Sequence, residues 1–198
     1  VRRMVKPYYE PNVHDTETLR AVAHPIRSRI LGLLRYEGPA TASQLGRRLD
    51  ESSGSTSYHL RQLARYGFVE EDPHQPNRRD KRWRATHAVT SWRRADGSSD
   101  PEWRQISDAL GRRQLLKAVD QYQRWAAGEE RFDEQWESTG GFFDNILALT
   151  PSQLAQLDRD LMEVFDRYRT QPPPAEPGEP VRHVAVYQQL LPFEDVPL

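Results

Sequence analysis

The rhythm of helix starts and stops between residues 15 and 67 constrains this chain most. Asp15 or Thr16 can cap a short helix running to Ala23, because a side-chain oxygen there accepts an otherwise orphaned backbone N–H. Pro25 suits the first position of a second helix, where its missing N–H costs nothing. Ile26, Ile30, Leu33 and Leu34 then recur on one helical face, and Gly38-Pro39 ends the run. Thr41-Ala-Ser-Gln44 spells a capping box for a third helix, with Ala42, Leu45 and Leu49 facing inward. Ser52 to Ser55 open a fourth helix that runs to about Tyr66, and Gly67 fits its stop. Phe68–Glu71 and Arg82–Thr86 read as two strands. The polar loop between them holds Pro73, Pro76 and Asn77, as a long hairpin connection would. Helices this short do not stand alone in water. They must share one core, with the hairpin beside it.

The rest of the chain is organised differently. Residues 1–15 read as an arm, residues 16–95 as the helical domain with its hairpin, and residues 96–198 as a second domain. A long amphipathic helix is expected from about Pro101 to Ala127. Residues 142–149 could form a strand. Thr150-Pro-Ser-Gln153 is a second capping box, and Leu154, Leu157, Leu161, Phe165 and Tyr168 follow on one helical face. Residues 171–180, with five of the fifteen prolines, read as a linker, and Val181–Leu190 as a last strand. The expected class is mainly α with a small β component, the second domain being α+β.

Charge separates the two halves. The formal net charge is −1, which alone argues against a nucleic-acid partner. Yet residues 16–95 carry 15 basic and 8 acidic side chains, a net of +7, while residues 96–198 carry 10 and 19, a net of −9. An anionic partner for the front half follows.

Three helices, a tight turn and a two-stranded ribbon describe a winged helix-turn-helix. On a helical wheel of the fourth helix, about 53–66, Thr56, Leu63 and Ala64 cluster with Leu60 as the packing face. Ser55, Tyr58, Arg61, Gln62 and Arg65 fall opposite, with hydrogen-bonding tips and two cations. A helix that reads base edges in the major groove needs such a face. Ser52, Ser53, Gly54 and Ser55 are small enough to bring the helix N-terminus close to a phosphate. The loop of residues 72–82 ends in Arg78, Arg79, Lys81 and Arg82, cations suited to backbone or minor-groove contact. An outward face of Arg, Gln and Ser also serves plain solubility, so the wheel alone leaves both readings open.

The stretch Leu19–Leu34 resembles the opening of the ArsR/SmtB family of bacterial transcriptional regulators. So do Thr41-Ala-Ser-Gln-Leu45, Thr56-Ser-Tyr-His-Leu-Arg-Gln-Leu63 and Gly67-Phe-Val-Glu70, and the likeness covers residues 16–87. It implies a homodimeric winged-helix repressor on an inverted-repeat operator. It also implies that Gln44, Ser55, Thr56, Ser57, Tyr58, His59 and Arg61 lie at or near DNA.

The sequence departs from that family in two ways. It has no cysteine, so the family's thiolate metal site cannot exist here; disulfides and cysteine nucleophiles go with it. The six histidines, at 14, 24, 59, 74, 87 and 183, lack the paired spacing of a helical metal site, and no cofactor is expected. Residues 96–198 exceed a single closing helix. They are expected to dimerise and could also sense a ligand. Trp103, Tyr122, Trp125, Trp136, Phe142 and Phe143 could line a pocket for an apolar or aromatic small molecule, or simply form core. No apolar run approaches the ~20 residues of a membrane span, and Val1-Arg-Arg-Met-Val lacks a signal-peptide core, so a cytoplasmic location is expected. No nucleophile elbow, dinucleotide-binding or P-loop motif is present. The sequence therefore points to a sequence-specific transcriptional regulator bound to double-stranded DNA. The other readings are a winged-helix protein-interaction module without DNA and an enzyme with an appended DNA-binding domain.

Overall fold

The computed structural model describes residues 13–75, 81–97, 99–128, 132, 134–139, 141 and 143–194. In chain order the elements are α1 (Thr16–Ala23), α2 (Pro25–Tyr36), β1 (Ala40–Thr41), α3 (Ala42–Leu49), α4 (Ser53–Arg65), β2 (Val69–Glu71), β3 (Arg82–Ala85), α5 (Pro101–Ala126), α6 (Glu134–Thr139) and α7 (Pro151–Thr170). The fold is mainly helical with one small antiparallel sheet. It divides into two compact units, Val1–Arg113 and Gln114–Leu198, and α5 runs through the division.

The helix starts follow the sequence closely. Asp15 accepts the Thr18 backbone N–H at 2.8 Å and opens α1. Thr41 and Gln44 close both halves of the capping box that opens α3. Ser52 caps α4 by accepting the Ser55 N–H at 3.1 Å, and Gly67, at φ +74°, turns the chain out of it. Thr150 and Gln153 form the second capping box, which opens α7.

His24 does more than sit in a turn. Its extended backbone ends α1, and its Nδ1 accepts the Ile26 N–H at 3.2 Å as the N-cap of α2. Helix α1 leaves four C-terminal carbonyls without helical partners, and each finds a side chain. The Arg27 guanidinium takes the carbonyls of Arg20 and Ala21. Ser28 Oγ donates to Val22 O at 2.6 Å, and Arg113 of α5 donates to Ala23 O at 2.8 Å.

The core lies in the first unit. Leu19, Ile30, Leu60 and Leu63 are fully buried at its centre, with Leu31, Leu34, Leu45, Leu49, Phe68 and Val69 around them. Val13 joins this core, so the ordered domain begins before the expected cap at 15–16. The first turns of α5 pack here too. Trp103, Ser107 and Leu110 follow at i, i+4 and i+7 and are buried, and Ser107 Oγ accepts the Trp92 indole N–H at 2.9 Å.

The sheet has the order β1-β3-β2, with Ala40 opposite Trp83 and Glu70 opposite Arg84. The two expected strands pair with each other as a hairpin, and β1, which is too short to show a sequence pattern, adds a third. Arg84 and Glu70 face each other across the ladder at 2.6 Å. Arg35 pins the strap after the hairpin, donating to His87 O and Thr90 Oγ1 at 2.9 Å each.

The second unit differs from expectation. Its described residues carry helices and irregular chain but no strand: residues 143–149 and 181–190 form no ladder. Neither segment meets a sheet edge, and a strand without a paired neighbour has no backbone hydrogen-bond partner to hold it. Helix α6, absent from the sequence reading, is one short turn region. None of the unit's described residues is buried.

Trp103 tests the packing of α5. Its ring is wholly buried and its indole N–H has no partner in the protein. Trp103→Ala is expected to cost about 3–5 kcal/mol in chemical denaturation, as large aromatic truncations do. Trp103→Phe is expected to cost much less, because it keeps most of the ring and removes an unpaired donor.

Candidate nucleic-acid interface

The helix-turn-helix angle is set where α3 meets α4. A Cβ on Gly46 would lie 2.7 Å from the Glu51 carbonyl and 3.3 Å from Thr56 Oγ1, so only glycine admits this crossing. Thr56 is fully buried there, its hydroxyl donating to Ser52 O at 3.0 Å. Leu60, Leu63 and His59 complete the buried face of α4. The other face is presented to solvent. Ser53, Tyr58, Arg61 and Arg65 are exposed, and Ser55, Ser57 and Gln62 are half-buried. Tyr58 is 52% exposed, with its ring edge-on to His59 at 5.3 Å.

Several of these side chains are already engaged. Gln44 is exposed, but its Oε1 accepts the Thr41 N–H at 2.8 Å, so its first role is to cap α3. Ser55 Oγ donates to Glu51 at 3.1 Å. Arg61 Nε lies 3.2 Å from Ser57 O of its own helix, a tether its exposed guanidinium can leave. Arg65 sits 5.7 Å from the centroid of the Tyr66 ring. Thr56 and His59, which the resemblance puts at or near DNA, are buried, the first wholly and the second to 8% exposure. Neither can reach a groove, because both face the core that fixes α4.

The hairpin is built for rigidity at its base. Gln75 clasps both sides: Nε2 donates to Asp72 O at 2.8 Å and to Arg82 O at 2.9 Å, while Oε1 accepts the Arg82 N–H at 2.8 Å. Sequence reasoning missed this residue, because a polar side chain in a loop has no periodic signature. Lys81 pairs with Glu71 at 2.6 Å, both exposed. Such a surface pair is worth little in water and can be exchanged for a phosphate. Arg82 donates to Pro39 O at 2.6 Å and so ties the hairpin to the start of β1. Arg78 and Arg79 lie outside the described residues.

Of the six aromatic residues considered for a pocket, five are described. Trp103 belongs to the core of the first unit. Tyr122 and Trp125 are ring neighbours on α5 at 6.2 Å, both exposed. Phe143 is 88% exposed, Trp136 is half-buried on α6, and Phe142 lies outside the described residues. Among the described residues no group of three or more His, Asp or Glu side chains could hold a metal ion.

Residues 22–72 match a family model described as a helix-turn-helix domain. The match spans α2 to the end of β2 and contains the α3–α4 pair. It supports a DNA-binding regulator of the helix-turn-helix type. A solved structure described as disulfide-formed AbfR is similar over 53% of this chain and 80% of its own, with 21% identity and a TM-score of 0.31. No curated protein matches. Among the described residues no helix is long and apolar enough to cross a membrane.

The α3–α4 crossing gives a direct test. Gly46→Ala should destabilise the first unit by about 1–3 kcal/mol in denaturant unfolding, because the new methyl meets backbone that cannot swing aside. An unchanged midpoint would mean the two helices tolerate a wider separation.

Proposed function

We propose that this protein is a transcriptional regulator that binds DNA as a homodimer, inserting α4 into the major groove and setting the β2–β3 hairpin on the adjacent backbone or minor groove. The observation that carries this reading is the division of α4. Thr56, His59, Leu60 and Leu63 lock one side into the core, and Ser53, Tyr58, Arg61 and Arg65 stand out on the other. A rigid helix with an outward row of donors is what direct readout of base edges requires. Arg61, Arg65 and Lys81 supply the phosphate contacts that dominate affinity, and Tyr58 and Gln62 are the side chains placed to discriminate bases. Arg78 and Arg79 would extend the hairpin's cationic tip. The helix N-terminus at Ser53 and Gly54 adds backbone N–H donors for a phosphate.

Dimerisation is supported by α5. Past Leu110 it exposes Leu115, Leu116, Val119, Tyr122 and Trp125, with Leu116 at 68% and Val119 at 50%. A long helix with such a row suits packing against a second copy. A two-fold dimer would present two α4 helices to an inverted repeat, with half-sites one helical turn (about 34–36 Å) or a multiple apart. We read the regulator as a repressor, since an occupied operator blocks transcription unless further contacts recruit it. The helix-turn-helix match favours a regulator over an enzyme.

Selection of bound duplexes from random DNA tests the reading and returns the operator. Arg61→Ala and Lys81→Ala are each expected to weaken binding to all duplexes and to lower the salt dependence by about one unit per lost phosphate contact. Tyr58→Ala or Gln62→Ala should instead flatten sequence preference by about 1–3 kcal/mol per lost base contact. No duplex selected at any salt concentration would leave a protein-interaction module as the better reading. Sedimentation should give a dimer that Leu116→Glu breaks, with affinity for a full operator falling to that for a half-site.

A further inference from the structure

His24, half-buried, and His59, buried, pair their imidazoles between the α1–α2 corner and the recognition helix. Their ring centroids are 4.7 Å apart, and Tyr58 stands edge-on to His59 at 5.3 Å. The two rings are the direct contact between the N-cap of α2 and the middle of α4.

The geometry fixes where a further proton must go. His24 Nδ1 accepts the Ile26 N–H, so the neutral ring carries its proton on Nε2. A second proton can land only on Nδ1, where it would turn the acceptor into a donor and break the cap of α2. His59 Nδ1 is buried and has no hydrogen-bond partner in the protein. An imidazolium there would hold an N–H with nothing to accept it.

The charges around the pair oppose protonation. Arg27 of α2 faces both rings and Arg113 of α5 faces His24. Glu51, before α4, is the facing carboxylate, and the Tyr58 ring stands against His59. Burial, then Arg27, hold both histidines below their ordinary value. Both guanidiniums are fixed in place by the α1 carbonyls they cap, so neither can swing away to relieve the repulsion.

We propose that the His24–His59 pair is a proton-sensitive latch on the recognition helix: proton uptake at His24 uncaps α2 and sets a cation against Arg27 and Arg113, proton uptake at His59 sets a cation against Arg27 and leaves a buried N–H without an acceptor, and each frees α4 to loosen. The sign follows from linkage. The unfolded or loosened state takes up protons that the closed state refuses, so the closed state loses stability as pH falls below about 6.5, the ordinary histidine value. Acid would thereby release DNA, and neutral pH would restore the grip. The DNA half of this inference rests on the function proposed above; the latch itself does not.

The test compares the 198-residue chain with a double variant, His24→Asn and His59→Phe. Asn keeps a capping acceptor for α2, Phe keeps a ring in the stack, and neither titrates. Amide hydrogen exchange in α4 and thermal unfolding are followed at pH 7.5 and pH 5.5, with binding to a selected duplex measured alongside. The variant serves as reference for the pH dependence of exchange chemistry and of the remaining histidines. Expected is faster α4 exchange and a lower unfolding midpoint at pH 5.5 in the wild type relative to the variant. The ratio of the wild-type dissociation constant to that of the variant should also rise with acidity. Parallel pH profiles for the two proteins would overturn the latch. If the variant unfolds at both values, His24→Asn and His59→Phe are compared singly in its place, and profiles that parallel the wild type for both overturn it. If no duplex binds at any pH, the DNA reading fails while the exchange data still decide the latch.

Discussion

The first unit depends on how the end of α1 is satisfied. A helix that stops abruptly leaves carbonyls that must find donors or water. Here Arg27 and Ser28 of α2 and Arg113 of α5 take the carbonyls of Arg20 to Ala23. That arrangement makes the sharp corner at His24-Pro25 possible. It binds α5 to the same corner and brings His24 against His59. The position of α4 is therefore set from behind by a polar cluster as well as by the leucines beneath it. Hydrogen bonds to a charged donor are worth about 1.5–3 kcal/mol each, so loss of either guanidinium would be felt throughout.

The outward face of α4 follows from what that support leaves exposed. Burial of Thr56, His59, Leu60 and Leu63 consumes one side of α4. Gly46 lets α3 approach closely enough that the other side stands clear. The hairpin is braced by Gln75 at its base and by Arg82 against Pro39. The same chain that balances to −1 overall thus concentrates positive charge on one rigid unit. The second unit has no buried described residue and exposes Leu116, Val119 and Phe143.

Much of this was legible in sequence because it rests on local physics. Asp15, Thr41 with Gln44, Ser52 and Thr150 with Gln153 cap the helices they were expected to cap. Capping needs only a short polar side chain a few residues from the N–H it serves. Gly67 ends α4 for an equally local reason, its left-handed φ. The outer face of α4 was likewise readable from the wheel, which placed Thr56 inward. The family resemblance placed Thr56 and His59 at or near DNA; both are buried, Thr56 on the side where the wheel put it.

What the sequence determined alone was the order, ends and faces of the helices and the hairpin, since periodicity and capping act over three or four residues. What only tertiary structure decided was every feature joining distant positions. The strands expected at 142–149 and 181–190 needed partners that the fold does not supply, so β propensity went unused. Trp103 looked like any aromatic on an amphipathic helix, and contact with the front core buried it there instead of in a pocket. The pairing of Arg113 with Ala23, and of His24 with His59, spans 90 and 35 positions of chain. No local pattern encodes such separations, because these contacts form only once packing has brought the segments together.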